Sequence, residues 1–491
     1  MKETAHKNSG HIQLIHSAIG VAIMIFFRFL PIHLPEITPV GMQIIGIFIG
    51  TLYLWTTVDP LWGSLLSIAM IGFSDYTTMP ELLAQCFGNA TLQQIFFLMV
   101  MSGALVYYKI TLYIGRFFLS RKFSSGRPWV MALVICLGCF FLSAFINPFT
   151  AIFLFWPILY GMFDDIGYHK GEDFPRVLLT LVIVASLIGF PVAPFANSGL
   201  ALLSNFTFIT GEMMGTAIHV NNAAYMLVAA ITGIVMIIGC VVFSKLVIKP
   251  DTSRLRDFDI ARLNKDPLPP MSGKQKAISA MFVILVLSML LPSLFPELPG
   301  MRILGANSNG LALLATAVLG AMIIDDERVV DVAQVLKTNF NWSSYFIIAA
   351  AILLGSVLTN ETTGVSSFLR VMLSPIFQGM APFSFTVFLL MVAMVLTNLC
   401  NSLVIGMILQ PVVITYCMET GTNPTPIVTL MIIFVLLTAA VTPAASPFAA
   451  ILHSNKEWVP TKYIYKYTIP YLLIELLTIL IVGIPLSNLM M

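Results

Sequence analysis

The feature that most constrains this chain is the recurrence of apolar segments long enough to cross a lipid bilayer. Segments of about 17 to 25 apolar residues span the hydrocarbon layer. Candidates begin near residues 12, 40, 60, 91, 178, 221, 276, 302, 341, 426 and 464 of the 491. Only 10% of the residues are charged, less than half the share that solvates a soluble protein. The sequence therefore predicts an all-α polytopic membrane protein with about eleven transmembrane helices in contact with lipid, and it excludes an ordinary soluble enzyme.

Two further apolar stretches, residues 128–163 and 383–418, are too long for one crossing and break at a central asparagine, Asn147 and Asn401. Each is either two full crossings or a re-entrant helical hairpin that enters and leaves on one side. With both re-entrant and the N terminus cytoplasmic, 22 of the 25 Lys and Arg residues fall on the cytoplasmic side, as the positive-inside rule requires. Two crossings per stretch give the same parity. The charges therefore predict a cytoplasmic N terminus, and they do not decide between re-entrant hairpins and full crossings.

Equivalent residues recur in the two halves of the chain, about 254 positions apart. The pairs are Ser143 and Thr397, Asn147 and Asn401, Pro157 and Pro411, and, at an offset of 253, Pro194 and Pro447. In the predicted topology the two halves have opposite orientations, so the repeat is inverted. Inverted repeats with interrupted helices at matching positions are typical of secondary transporters, which bind their substrate near the middle of the membrane.

The repeat divides the chain into four predicted parts. They are an N-terminal transmembrane helix in residues 1–35, a first repeat in 36–248, a cytoplasmic linker in 249–275 and a second repeat in 276–491. The first repeat holds hairpin 128–163 and a broken helix in 178–210, and the second holds hairpin 383–418 and a broken helix in 426–455. Non-helical backbone at membrane depth needs protein or a water-filled cavity to satisfy its polar groups. We therefore expect the breaks to line a cavity.

Other classes of function find little support in the sequence. The net charge of +2 provides no basic field for nucleic acid, and no phosphate-binding Gly-x-x-x-x-Gly-Lys-Ser/Thr loop or His-Glu-x-x-His motif is present. The six cysteines show no metal-ligand spacing. An intramembrane enzyme would need a nucleophile and a base, for which only Ser446 and His453 can be paired. We expect no enzymatic activity and no cofactor, and an alternating-access carrier is favoured over a channel.

Few charges are predicted inside the membrane, so an anion would be held by helix N-termini and neutral donors. The opposing C-terminal carbonyls suit a small cation. His453 comes shortly after the second break. It is interpreted either as a proton-coupling or substrate-binding residue or as a solvated histidine at the cytoplasmic end.

At the tips and breaks the sequence resembles the divalent anion/sodium symporter family of the ion transporter superfamily. That family carries Ser-Asn-Thr at each hairpin tip and Gly-Thr-Pro-Pro-Asn in each broken helix. The tips here are Ile146-Asn147-Pro148 and Cys400-Asn401-Ser402, and the breaks contain Pro194-Phe195-Ala196-Asn197 and Pro447-Phe448-Ala449. The resemblance covers the arrangement of essentially the whole chain. It implies an elevator-type carrier, usually dimeric, that moves di- or tricarboxylates or sulfate with sodium ions.

The resemblance also implies the residues of the site. The substrate would contact Asn147, Pro148, Thr150, Asn401, Ser402, Pro194 and Pro447. One sodium ion would lie among Ser143, Asn147 and Gly189, and the other among Thr397, Asn401 and Ala445. Because Ile146, Pro148 and Cys400 replace hydroxyl residues of the family's tips, proton coupling and sodium-independent exchange stay open beside sodium symport. We expect a homodimer in a bacterial cytoplasmic membrane that transports a small organic anion, a di- or monocarboxylate.

Overall fold

The computed structural model of the chain is almost entirely helical. It describes residues 2–31, 34–119, 126–196, 198–255, 268–295, 297–365, 367–368, 371, 375, 379–399, 402–443 and 445–491. The helices are α1 Lys2–Phe26, α2 Pro39–Thr57, α3 Pro60–Gly72, α4 Met79–Phe87, α5 Ala90–Tyr107, α6 Ile110–Leu119, α7 Pro128–Phe145, α8 Pro148–Ile166, α9 Asp173–Gly189, α10 Gly199–Met214, α11 Asn222–Phe243, α12 Gly273–Leu294, α13 Met301–Ala306, α14 Ser308–Ala321, α15 Val332–Thr338, α16 Trp342–Thr359, α17 Pro382–Thr397, α18 Ser402–Thr420, α19 Pro424–Leu437, α20 Pro447–Ser454, α21 Thr461–Thr478 and α22 Ile484–Met490.

Short elements complete the fold. Strands β1 Ile323–Ile324 and β2 Glu327–Arg328 form an antiparallel pair in which Ile323 faces Arg328. Single 3₁₀ turns cover Phe27–Phe29, Pro194–Ala196, Ser253–Leu255 and Glu361–Thr363. Helix α11 continues into a π-helical turn, Ser244–Ile248, and α21 into a second one, Ile479–Gly483.

Many helices begin with a capping side chain followed by proline. Thr38, Asp59, Asn147, Asn423 and Ser446 each accept a hydrogen bond from a backbone N–H two or three residues ahead, and a proline follows each of them. A polar N-cap satisfies a backbone donor that the helix leaves unpaired, and proline fits the first helical position because it has no N–H to pair. These prolines therefore mark helix starts inside apolar sequence.

Eight helices in the described residues are long and apolar enough to cross a membrane. The number becomes nine if α15 and α16, which meet at a bend of 85°, form one broken span. Five shorter apolar segments of 10–17 residues lie within α3, α14, α17, α18 and α19. The prediction of an all-α polytopic membrane protein is confirmed. The inverted repeat and the count of about eleven crossings stay predictions.

The two apolar stretches with a central asparagine each form a pair of helices. Helix α7 ends at Phe145 and α8 begins at Pro148, while α17 ends at Thr397 and α18 begins at Ser402. Helices α7 and α8 pack against each other and against α9. In the same way α17 and α18 pack against each other and against α19. Each half of the chain thus places a helix pair on the helix that follows it.

The helices after each pair are interrupted. Between α9 and α10 the chain makes the turn Pro194–Ala196, and the segment between α19 and α20 runs from Thr438 to Ser446. Helix α9 packs against α19 and α20, and α10 packs against α18 and α16. The two interruptions are therefore held together in one bundle, with α16 against its side.

Candidate functional site

Asn147 fixes the start of α8. Its side-chain Oδ1 accepts hydrogen bonds from the backbone N–H of Thr150 at 2.8 Å and from the Thr150 hydroxyl at 3.0 Å. The preceding carbonyl, that of Ile146, accepts from Ser102 Oγ at 3.2 Å, which ties the tip to α5. Since Oδ1 is used by the cap, the side-chain NH₂ of Asn147 is the group left to donate to a solute.

Behind this tip, α7 and α9 approach each other closely. A Cβ atom on Gly189 would lie 2.3 Å from the carbonyl oxygen of Phe140, so only glycine fits at this position. The Gly189 carbonyl accepts from the N–H of Val192 at 3.1 Å. Ser143, three residues after Phe140, is completely buried. Two of the three residues predicted for the first sodium site therefore lie in the packed interior behind Asn147.

A buried amide joins α17 to the second interruption. Asn398 Nδ2 donates to the carbonyl of Thr438 at 3.1 Å and to that of Met394 at 2.8 Å. Its Oδ1 accepts from the N–H of Val441 at 3.0 Å, and its backbone carbonyl accepts from the Thr442 hydroxyl at 2.5 Å. Sequence reasoning missed Asn398, because only the asparagine at the repeat offset, Asn401, was singled out. Asn401 and Cys400 lie outside the described residues.

The remaining residues predicted for the second half surround this amide. The hydroxyls of Thr397 and Thr438 are 3.1 Å apart and buried. Ala445 is buried, and its N–H donates to the carbonyl of Thr442 at 3.1 Å. Ser446 caps α20 by accepting from the N–H of Ala449 at 3.1 Å, and its hydroxyl donates to the carbonyl of Ala439 at 2.7 Å.

Two adjoining cavities of about 120 Å³ each lie between the interruptions. They share the lining residues Phe149, Phe190, Ser198, Ser344, Ile348 and Phe448, so we treat them as one chamber. The first cavity is also lined by Asn147, Pro148, Asn339 and Asn341, and the second by Ser402, Ala445, Ser446 and Pro447. The rings of Phe149 and Phe448, 4.6 Å apart, form an aromatic wall between the starts of α8 and α20.

Five helices begin at this chamber. They are α8 at Pro148, α10 with Ser198 before its first residue, α16 with Asn341 before its first residue, α18 at Ser402, and α20 at Pro447. Each helix start carries unpaired N–H groups and a partial positive charge, which together favour an anion. No Lys or Arg lines either cavity in the part of the chain that the structure describes. The chamber therefore offers dipoles and neutral donors rather than fixed cations.

Not all predicted substrate residues reach the chamber. Thr150 hydrogen-bonds to Asn147 instead of lining it, and Pro194 packs against Gly199, where a Cβ would lie 3.0 Å from Pro194 Cα. The lining residues Ser198, Asn339, Asn341 and Ser344 were missed from the sequence. Asn341 stands directly before the apolar run that begins at Trp342, a typical helix start, and that signal could have found it.

His453 is not solvated, so one of its two interpretations is wrong. Its side chain is 7% exposed, because Nε2 lies 3.0 Å from the carbonyl oxygen of Val441 and the ring packs against Tyr465. Nor does it form a nucleophile and base pair with Ser446, whose hydroxyl donates to Ala439.

The chain is similar to known proteins in family and in fold. No curated protein matches the chain. The crystal structure of the YdaH transporter of Alcanivorax borkumensis, reported to have an unusual topology, is similar to it with a TM-score of 0.54. The sequences are 14% identical, and the match covers 92% of this chain and 97% of that chain. At this identity the likeness shows the fold. The family model described as CitMHS, citrate transporter, matches residues 50–403, and the chain therefore belongs to the citrate transporter family.

Proposed function

We propose that this membrane transporter moves a small carboxylate anion through the chamber by secondary active transport. The observation that carries the proposal is the convergence of five helix N-termini on one chamber without a lysine or arginine in its described lining. Carboxylates accept hydrogen bonds from such N–H groups. A di- or monocarboxylate was expected from the sequence, and the name of the family makes citrate the first anion to test.

Sodium is the coupling ion that we propose first. Interrupted helices hold sodium with backbone carbonyls at their C-terminal ends, and α9 ends at Gly189 and α19 at Leu437. The first proposed site takes oxygen atoms of Ser143 and Gly189, and the second takes the hydroxyls of Thr397 and Thr438, which lie 3.1 Å apart. Asn147, Asn401 and Ala445 complete the two proposed sites. Sodium-independent exchange and proton coupling are the alternatives, and a buried acid described below supports proton coupling.

We propose that the helix pairs and interrupted helices move together past α5 and α16 as an elevator. This division is supported by the two kinds of lining residue in the chamber. Asn147 and Pro447 come from the bundle of pairs and interrupted helices, whereas Asn341 and Ser344 come from α16. A homodimer, a cytoplasmic N terminus and a bacterial cytoplasmic membrane complete the proposal.

Uptake into proteoliposomes tests this function. Labelled citrate, succinate and lactate are offered to the purified protein under an inward sodium gradient, an inward proton gradient or neither. Accumulation above the external concentration under one gradient is the expected result. Equilibration without accumulation would indicate a channel, and failure of every carboxylate would refute the substrate class. Counterflow that needs neither ion would replace symport by exchange.

A further inference from the structure

Glu475 is an acid buried in the middle of an apolar helix. The continuous helical segment Thr461–Met490 has 30 residues and is apolar enough to cross a membrane, and Glu475 is its fifteenth residue. Its side chain is only 2% exposed. No Lys, Arg or His of the described chain forms an ion pair with it. A charged carboxylate is very costly in this position, so the neutral, protonated form is favoured when the site is closed to water.

Three tyrosines share the helix face that carries this acid, and we call them the tyrosine column. Tyr463, Tyr467, Tyr471 and Glu475 are each four residues apart, so they lie on one face of α21. Tyr467 and Tyr471 are almost completely buried. The Tyr471 hydroxyl lies 2.7 Å from Ser244 Oγ of α11. The sequence thus places a line of hydroxyl groups, able both to donate and to accept a proton, along a buried helix face.

The outer end of this column meets charged groups at the membrane surface. The Arg176 guanidinium lies 3.6 Å from the ring centre of Tyr463, and it pairs with Asp173. Lys462 and Lys466 lie 5.0 and 5.8 Å from the same ring. In the topology that the charges predict, this end is cytoplasmic. The column therefore begins where water and buffer can supply protons.

Helix α11 lies between the column and the first helix pair, because it packs against both α21 and α7. Cys240 of α11 and Cys136 of α7 are both buried. Helix α7 leads to the tip that carries Asn147. One π-helical turn begins at Ile479, four residues after the acid, and another begins at Ser244, whose hydroxyl contacts Tyr471. Such turns are rare and occur frequently at functional sites.

We propose that Glu475 is a proton-binding site of this transporter, filled and emptied through the column of Tyr463, Tyr467 and Tyr471. One proton enters from the aqueous end and binds the carboxylate, and the tyrosine hydroxyls along the way neither gain nor lose a proton overall. Release runs in the opposite direction. Protonation removes the charge on α21 and deprotonation restores it, which links proton binding to the packing of α11 and, through α11, to that of α7.

The other ionisable groups that face α21 do not replace Glu475 in this role. Helix α11 contributes the Cys240 thiol, and α7 contributes Cys136 behind it. Helix α9 contributes Arg176 and Asp173 at the surface end. Helix α20 contributes His453, whose ring contacts Tyr465 rather than the tyrosine column. The segment from Ile479 to the C terminus contributes no ionisable side chain.

The transport test rests on the proposed function. Wild-type protein and the variant E475Q are compared in citrate proteoliposomes, by accumulation under a proton gradient and by citrate counterflow. We expect E475Q to lose the accumulation and to keep counterflow within about twofold, because exchange of bound anion needs no net proton movement. Y471F should slow proton-driven uptake without lowering its final level. Equal proton-driven accumulation by E475Q and wild type would overturn the proposal.

The matched control is E457Q, which changes a glutamate outside the membrane. The hydrogen bond and charge of Lys170, 2.5 Å away, hold the pKa of Glu457 below its usual value. Glu457 therefore stays ionised over the assay range, and we expect E457Q to behave as wild type.

A second measurement does not depend on transport. Infrared difference spectra of the wild-type protein between acid and alkaline buffer should show a protonated-carboxyl band that E475Q lacks and E475D keeps. A band unchanged in E475Q would overturn the proposal even if transport is observed. If the band depends on Glu475 but no carboxylate is carried, the proton site stands and only the proposed substrate fails.

Discussion

At the scale of single residues, two of the side chains that line the chamber also cap a helix. Asn147 uses its oxygen to cap α8 and keeps its NH₂ for the chamber. Ser446 likewise caps α20 while lining the second cavity. A cap is required where a helix starts inside the membrane, because no water satisfies its first N–H groups. The same groups that allow the helix to start there therefore lie at the proposed anion site.

Replacement of Asn147 separates these two roles. N147D keeps an oxygen for the cap, so we expect a folded protein with unchanged thermal stability. The added negative charge would lie at the proposed anion site. Two unit charges about 4 Å apart repel each other by about 4 kcal/mol at an effective dielectric constant near 20. We therefore expect citrate binding to weaken roughly a thousandfold. N147S also keeps a cap but loses one donor to a charged group, and we expect a loss of about ten- to a hundredfold. Citrate binding and melting temperature measure the two effects, and normal binding by N147D would contradict the site.

At the scale of elements, the sequence predicted the positions of the helix breaks better than the side-chain contacts that hold those breaks in place. Asn147 and Pro447 were expected at interruptions, and the described helices α8 and α20 begin at Pro148 and Pro447, because caps and prolines act locally. Asn398 and Asn341 escaped prediction. The role of Asn398 depends on contacts with residues about 40 positions away, and that of Asn341 on a cavity lined by several helices. No local sequence pattern indicates either role. Glu475 could have been found, since an acid within a predicted span is a signal in itself.

The bracing by Asn398 is testable by N398A. This change leaves the Thr438 carbonyl and the Val441 N–H without their partner. Each unpaired buried group costs about 1 to 3 kcal/mol, so we expect a clear fall in the thermal stability of the detergent-solubilised protein and impaired uptake.

The matched control is N307A. Asn307 also donates to a backbone carbonyl, that of Ile303 at 2.8 Å, but on the exposed surface. Its loss should have little effect. Equal stability of N398A and N307A would show that the second interruption does not need the amide.

At the scale of the whole molecule, α10 packs directly against α16. A Cβ on Gly355 of α16 would lie 2.3 Å from Asn205 Oδ1 of α10, and Asn205 Nδ2 donates to Gln410 Oε1 at 2.6 Å. The contact is close and lies outside the chamber lining. If α10 moves past α16 during transport, as we propose, this contact must break in each cycle.

The double variant N205C/G355C tests that movement. The two introduced cysteines would stand at positions close enough for a disulfide. The native cysteines of the described chain are all buried, so they should not compete for the crosslink. We expect oxidation to stop citrate uptake and reduction to restore it, because the crosslink holds α10 against α16. The control pair is G211C/A217C, because a Cβ on Gly211 would lie 3.8 Å from the Cβ of Ala217 in the same segment; no relative motion is proposed there, and its crosslink should leave uptake intact. Full uptake with the 205–355 crosslink formed, as shown by mass spectrometry, would mean that α10 and α16 move as one body, and the solute would then reach both sides by local gating of the helix pairs alone.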